Sequence, residues 1–385
     1  MNARPARMGL RLPAVLLVVV AAAAVRWTAA GALPPDHDEY DYVRLGYRYA
    51  ERMTPGRWGE IPEVAENAEH PPLVKLLHGA ALRAAGAPEP EWRGVEVGRP
   101  MPDQARPAYA ATRALSVVAG VLQVALTAAV SLPGGLWLAF DTYHVKYTSQ
   151  AMLEGVAGLF ALLAVLLFER SLRPREPQGL VPEVGAPAAG PLLLSAAALA
   201  LATASKYPFG LLAGLAILPF LLHRTRGRPG LRLAYAAVGL LVFVAADPYL
   251  WSHPIDRLWD SVAYHFAFAT GDQVKKAGLP WWQPLRWLTR PAPARWHPGA
   301  FKVAFLDYAI LLAAALSVPA ALARRPVLVA WAAVGLPFLL AWPTKWPQYT
   351  VMVRPALAAC AGLGLGALAG LVTRRRGARA GGLGP

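Results

Sequence analysis

Four acids fall within six positions of the stretch PPDHDEYDY at 34–42: Asp36, Asp38, Glu39 and Asp41. Further on, in AEHPPLVKLL at 68–77, Glu69 and His70 stand directly before Pro71 and Pro72, with Lys75 just beyond. A carboxylate held near an acceptor takes up its proton as the acceptor attacks. A histidine and a lysine beside such carboxylates add proton transfer and fixed positive charge. Both clusters also precede apolar periodic stretches, and an acid at a helix start caps free N–H groups, worth about 0.5–2 kcal/mol. The prolines remove donors that a cap at Glu69 would use, and the first cluster holds more charge than a cap needs. Acid–base chemistry and capping therefore both stand as readings of Asp38 and Glu69.

The elements that must position these residues are membrane spans. The chain has 385 residues, 56% hydrophobic and only 16% charged, against about 25% charged in soluble domains. Ten segments are apolar enough to cross a bilayer: 10–31, 107–130, 134–147, 151–169, 190–205, 207–223, 231–247, 302–323, 326–343 and 348–372. With the N-terminus in the cytoplasm, the basic clusters between and beyond them share one side. These are Arg4, Arg7 and Arg11; Arg170, Arg173 and Arg175; Arg224, Arg226, Arg228 and Arg232; Arg324 and Arg325; and Arg374, Arg375, Arg376 and Arg379. This satisfies the positive-inside rule and accounts for much of the formal net charge of +15 without nucleic acid. The sequence thus describes an all-α, multi-pass protein of the cell membrane, with both termini cytoplasmic. Its one cysteine, Cys360, lies in an apolar segment and allows no disulfide within the chain.

Two long loops, 32–106 and 248–301, fall on the outer side of what is read as one domain over 1–385. The first holds 13 of the 23 Asp and Glu residues. The second holds six of the 13 Trp: Trp251, Trp259, Trp281, Trp282, Trp287 and Trp296. Indoles favour the membrane interface. The first segment reads either as a span or as a signal peptide ending near Ala30-Gly31-Ala32; in both cases the following loop is exported and Arg26 is expected to snorkel outward. The third segment is short and carries Asp141, His144 and Lys146, which predicts a broken or tilted helix.

Periodicity predicts three helices on the outer surface. Tyr42, Leu45, Gly46, Tyr49, Ala50 and Met53 form one apolar stripe; Leu73, Leu76, Leu77, Ala80 and Ala84 a second; Ile255, Leu258, Trp259, Val262, Phe266 and Ala269 a third. Pro71 and Pro72 suit the start of the second helix, and Gly86 with Pro88 its end.

Ionisable groups at span ends are costly and mark function by default. The same topology gathers Asp141, His144, Lys146, Glu154, Lys206, Arg257, His265 and Lys345 at the outer face. Cations there suit an anionic headgroup such as phosphate, and carboxylates suit activation of an acceptor. Structural readings stand beside this: Lys206 and Lys345 as snorkelling helix ends, His265 as a packing residue, and Glu154 as a partner of Lys146 or a helix cap.

HDEYDYVRLGYRYA, EHPPLVKLL, YHVKYTSQAMLE, ASKYPFG and TKWPQYTVM, taken together and in this order, resemble the GT-C superfamily of integral-membrane glycosyltransferases. The nearer branches are the protein O-mannosyltransferase-like and aminoarabinose-transferase-like enzymes, families 39 and 83. The resemblance implies a GT-C bundle of about ten spans with interfacial helices in both outer loops. It implies transfer of a sugar, a hexose or pentose, from a polyprenyl-phosphate donor to a protein, lipid or glycan acceptor, with inversion. Asp38 and Glu39 match the catalytic acidic pair, and Glu69 a second acidic position. His70 stands where one branch has lysine and the other histidine. Lys206 and Lys345 match basic positions facing the donor phosphate. With Lys75, His144, Lys146, Arg257 and His265, they make up the expected substrate-binding set. A divalent cation, if one is used, would sit on Asp38, Glu39 and Glu69. TAAVSLPGGLWLAF is shorter than is usual in the family, and the chain closes on RRRGARAGGLGP with no large soluble domain expected. The rival classes are a multi-pass transporter or lipid-linked sugar flippase, and a non-catalytic membrane subunit. Transporters carry repeated halves with sites at midplane; here the charged set lies at one face and no halves repeat.

Overall fold

The computed structural model describes residues 11–173, 187–293 and 305–381; Arg4, Arg7, Arg175 and Trp296 lie outside them. Among the described residues the elements are helices with no strand. They are α1 (Arg11–Ala32), α2 (His37–Arg52), α3 (Leu73–Ala85), α4 (Arg106–Val130), α5 (Leu132–Phe140), α6 (Thr142–Tyr147), α7 (Leu153–Ser171) and α8 (Ala189–Ser205). After these come α9 (Tyr207–Arg224), α10 (Pro229–Ala246), α11 (Pro254–Ala269), α12 (Asp272–Ala277), α13 (Gln283–Leu288), α14 (Ile310–Leu322), α15 (Pro326–Ala341) and α16 (Arg354–Gly381). The described parts of the expected apolar segments fall largely on helix; residues 10 and 302–304 lie outside the described residues. By length and composition alone, α1, α9, α10 and the stretch Asp103–Val130 qualify as membrane spans, and α8, α14, α15 and the first part of α16 are shorter apolar helices. The core is made of small and branched side chains from α4, α7, α8, α9, α15 and α16.

The third segment is the broken helix that its charges predict. It divides into α5 and α6 at Asp141, whose carboxylate accepts the N–H of His144 at 2.8 Å and pairs with Arg354. The nine residues of α5 rise about 14 Å, too little to cross a bilayer alone. Together, α5 and α6 still return the chain to the end where the two loops lie. Gly135 packs on Ala128 in the last turn of α4, the His144 ring bonds Gln123 halfway back, and Thr148 abuts Gly120. The N–H of Ala151 then donates to Glu39 in the first loop at 2.6 Å.

Arg26 corrects the snorkelling expectation. It is fully buried and turns inward to the break. Its guanidinium donates to the carbonyls of Leu138 and Ala139 at 3.1 Å each, and meets Thr148 Oγ1 at 3.0 Å and His144 Nδ1 at 2.6 Å. Those carbonyls belong to the last turn of α5, where no following turn supplies N–H donors, so the arginine satisfies what the break exposes.

The surface helices form at the expected positions. α2 packs on α3 at a glycine pair: a Cβ on Gly79 would stand 2.8 Å from the Gly46 carbonyl and 3.0 Å from the Ala50 nitrogen. The inward face of α3 is Val74, Lys75, His78, Gly79 and Leu82, while Ala80 and Ala84 of the predicted stripe are exposed. Ile255, Trp259 and Phe266 of α11 are likewise exposed. Apolar residues turned away from the protein suit helices that rest against lipid.

Candidate active site

The start of α2 sorts the acidic cluster. Asp36 is the N-cap, and its N–H donates to Glu39 Oε2 at 3.2 Å. Glu39 is fully buried and gripped by Arg113 through two bonds of 2.7 Å each, with the Ala151 N–H as a further donor. Two parallel charge-assisted bonds are the strongest pairing a carboxylate finds. Capping therefore falls to Asp36 and Glu39, and Asp38, one turn position away, is left facing a cavity of about 920 Å³. Glu39 does not line that cavity, which corrects its expected place in a catalytic pair: its carboxylate is occupied in fixing the loop.

Asp38 accepts a hydrogen bond from Gln348 Nε2 at 3.2 Å and lies 3.6 Å from His37 Nδ1. Burial pushes its carboxyl up, but the hydrogen bond from His37 and the charge of Lys206 outweigh this, and the group sits below the ordinary carboxylate value. Asp38 is thus held ionised, the state a proton acceptor needs.

The opposite wall comes from the turn before α3. Asn67 adopts a left-handed backbone (φ 55°) and donates its amide to Glu69 Oε1 at 2.6 Å. Lys75 Nζ reaches back to the carbonyls of Asn67 and His70, at 2.7 and 2.8 Å. Lys75 is therefore a fastener of this turn, not a residue of the cavity wall. Glu69 and His70 do line the cavity, and neither caps α3, whose N-cap is Pro72. His265 lines it too, its Nε2 bonded to the Glu69 carbonyl at 2.9 Å and its ring 5.2 Å from that of His70. Burial, and then the charges of Lys206, His265 and Lys75, push His70 well below the usual histidine range. Burial thus favours the neutral form of His70.

Three lysines line the wall, the exposed Lys276 of α12 and the buried Lys146 and Lys206. Lys146 pairs with Asp36 at 2.6 Å and donates to Gln150 Oε1 at 2.8 Å. Lys206, where α8 gives way to α9, is ion-paired with Glu154 at the start of α7 and lies 5.5 Å from the Tyr349 ring centre. Lys206, His265 and Tyr349 also line a second, apolar groove of about 750 Å³. That groove follows α9 from Tyr207 to Leu222, with Tyr235 and Arg232 of α10, Phe338 of α15 and Trp342 just beyond it on its sides. A carboxylate-lined polar cavity and an apolar groove thus meet at one buried lysine.

Three further expected residues stand elsewhere. Lys345 donates to the carbonyls of Leu339, Leu340 and Trp342, the free acceptors at the end of α15. Arg257 bonds the carbonyls of Pro62 and Tyr249 at 2.7 Å each and Glu63 at 3.0 Å, tying α11 to the first loop. His144 is buried between Arg26 and Gln123. The residues missed are Gln348, three positions beyond Lys345 in TKWPQY, and the polar or aromatic wall residues Asn67, Tyr42, Tyr264 and Trp346. Only Gln348 had a sequence signal, as a polar residue at a span end. With Glu39 turned onto Arg113, the three-carboxylate cation site does not assemble; among the described residues no group of three or more His, Cys, Asp or Glu is arranged to hold a metal ion.

No protein-family model and no curated protein matches the sequence. Solved structures do. The crystal structure of ArnT from Cupriavidus metallidurans bound to undecaprenyl phosphate aligns with a TM-score of 0.55 at 16% identity, over 91% of this chain and 60% of that one. Archaeal oligosaccharyltransferase AglB from Archaeoglobus fulgidus, in complex with an inhibitory peptide and a dolichol-phosphate, aligns with a TM-score of 0.56 at 14% identity. That alignment covers 96% of this chain and 52% of AglB, so the chain spans between half and two thirds of the length of these structures. At such identities the likeness is one of fold alone: this chain shares the helical membrane-protein fold of those two structures.

Proposed function

We propose that this protein transfers a sugar from a polyprenyl-phosphate donor to an acceptor outside the cytoplasmic membrane, with inversion at the anomeric carbon. The observation that carries the reading is the meeting of groove and cavity at Lys206. An amphiphile with an apolar tail, an anion at the junction and a polar head beyond it is the ligand this shape and charge suit. A lipid-linked sugar phosphate has those three parts in that order. The solved structures of like fold were determined with undecaprenyl phosphate and dolichol-phosphate, which supports the same class of lipid here.

In this reading the prenyl chain lies along α9, the phosphate meets Lys206, and the sugar enters the cavity. The acceptor hydroxyl attacks the anomeric carbon from the side opposite the phosphate. A new carbon–oxygen bond forms, the bond to the phosphate oxygen breaks, and the lipid phosphate leaves with the electron pair. The acceptor's proton passes to Asp38, the ionised carboxylate on the wall. A phosphate leaves without protonation near neutral pH, so one carboxylate suffices, unlike the two that glycoside hydrolysis uses. Glu69, oriented by Asn67, and the neutral His70 and His265 bind sugar or acceptor hydroxyls.

The test uses purified protein in proteoliposomes with a polyprenyl-phosphate donor labelled in the sugar. The expected result is a covalent, anomerically inverted product and free polyprenyl phosphate. Movement of the intact labelled lipid between leaflets with no product would assign the protein to transport instead.

A further inference from the structure

Glu154 is fully buried at the start of α7, and one of its carboxylate oxygens is held by Lys206. Its other oxygen, Oε2, has no hydrogen-bond partner among the described residues. Glu39, equally buried, is better supplied: it receives Arg113 twice and two N–H groups. Asp247 and Asp307 also carry unpartnered oxygens, but Glu154 alone of the three is ion-paired to a lysine that lines the cavity. A half-satisfied buried carboxylate is costly and calls for an explanation other than stability. Lys206 in turn has a single carboxylate partner and a single aromatic neighbour, Tyr349, and it stands where groove meets cavity. The other cations expected at this face are committed: Lys146 to Asp36 and Gln150, Lys345 to backbone carbonyls and Arg257 to the first loop.

We propose that Glu154 is a positioning residue that competes with lipid phosphate for Lys206, and so releases the spent lipid. This rests on the glycosyl-transfer reading above. The donor is a phosphodiester with one negative charge. The product is a monoester carrying about −1.5 to −2 at pH 7. A lone lysine in a low-dielectric site would therefore hold product more tightly than donor, and turnover would stall. With Glu154 as a standing counter-ion, the ammonium is ionised and in place before the lipid arrives, and the carboxylate reclaims it when transfer is done. The carboxylate opposes the doubly charged product more than the singly charged donor.

The experiment measures binding of undecaprenyl phosphate and of undecaprenol to the purified full-length protein, for wild type and Glu154→Gln, together with donor KM and kcat. The expected result is an affinity for undecaprenyl phosphate about tenfold higher in E154Q, as loss of one charged competitor predicts, with undecaprenol unchanged. KM for the donor falls by less, and kcat falls because release limits turnover. Adding Lys206→Met to E154Q removes the gain. Unchanged or weaker phosphate binding in E154Q overturns the proposal, since a merely structural glutamate would lower stability without tightening the lipid. Glu154→Asp, which keeps the charge on a shorter stem, gives a second reading if the amide disturbs folding: tighter phosphate binding by a few-fold supports the proposal, and none overturns it. If wild type and both variants bind undecaprenyl phosphate no better than undecaprenol, the transfer reading itself fails along with the proposal.

Discussion

At the scale of single residues, the site separates carboxylates that hold the loop from those that face the cavity. Glu39 and Asp38 are adjacent in the chain, yet one is sealed on Arg113 and the other meets the cavity. The sequence shows four acids and cannot say which is which, because the decision is made by Arg113, 74 positions away. The resemblance carried Asp38 and Glu69 to the cavity wall, but the cations were harder to place. Of the expected cations, Lys206 and Lys146 line the cavity, Lys146 paired with Asp36, whereas Lys345, Lys75 and Arg257 satisfy carbonyls that local turns leave open. Protonation adds a prediction. Burial keeps His70 neutral, with its folded value below that of the unfolded chain, so protons favour unfolding as pH falls through about 6.5. Activity should carry no histidine limb from His70 between pH 5 and 8. His70→Gln should therefore leave the shape of the kcat/KM profile in that range unchanged, and a lost inflection there would contradict the neutral assignment.

At the scale of elements, hydrophobic periodicity located the helices well and their faces less well. The stripe Leu73, Leu76, Leu77, Ala80 and Ala84 marks α3 correctly as amphipathic, but the side packed on protein is the one with Lys75, His78 and Gly79. An apolar stripe means burial in a soluble protein, whereas beside a membrane it also means lipid. Glycines tell the inward face better. Gly46 and Gly79 let the backbones of α2 and α3 approach closely, as small residues do in membrane bundles. Gly79→Ala places a methyl within 2.8 Å of the Gly46 carbonyl, and the two helices must part. The expected cost is about 1–3 kcal/mol, read as a lower Tm, together with lost transfer, since α2 and α3 carry Asp38 and the turn with Glu69. A variant with wild-type Tm and activity would show that the contact does not set the site. The break at Asp141 was also legible, from charges inside an apolar run. Its anchoring by Arg26 was not, because that arginine lies in another span.

At the scale of the whole molecule, the charge asymmetry of the sequence sets the two long loops apart from Arg224 to Arg228, Arg324 and Arg325. The groove along α9 was not legible in the sequence. It arises from how α9, α10 and α15 diverge around Lys206, a feature of packing rather than of any motif. It is also what joins the residues into one account: tail, phosphate and sugar each meet a surface of matching chemistry. Asp38 is the residue on which that account turns. The most direct test is a single-turnover transfer from labelled polyprenyl-phosphate sugar by Asp38→Asn, with donor binding measured on the same preparation. The account predicts donor binding near the wild-type level and transfer slowed by about 10²-fold or more. Transfer at the wild-type rate in that variant would contradict it.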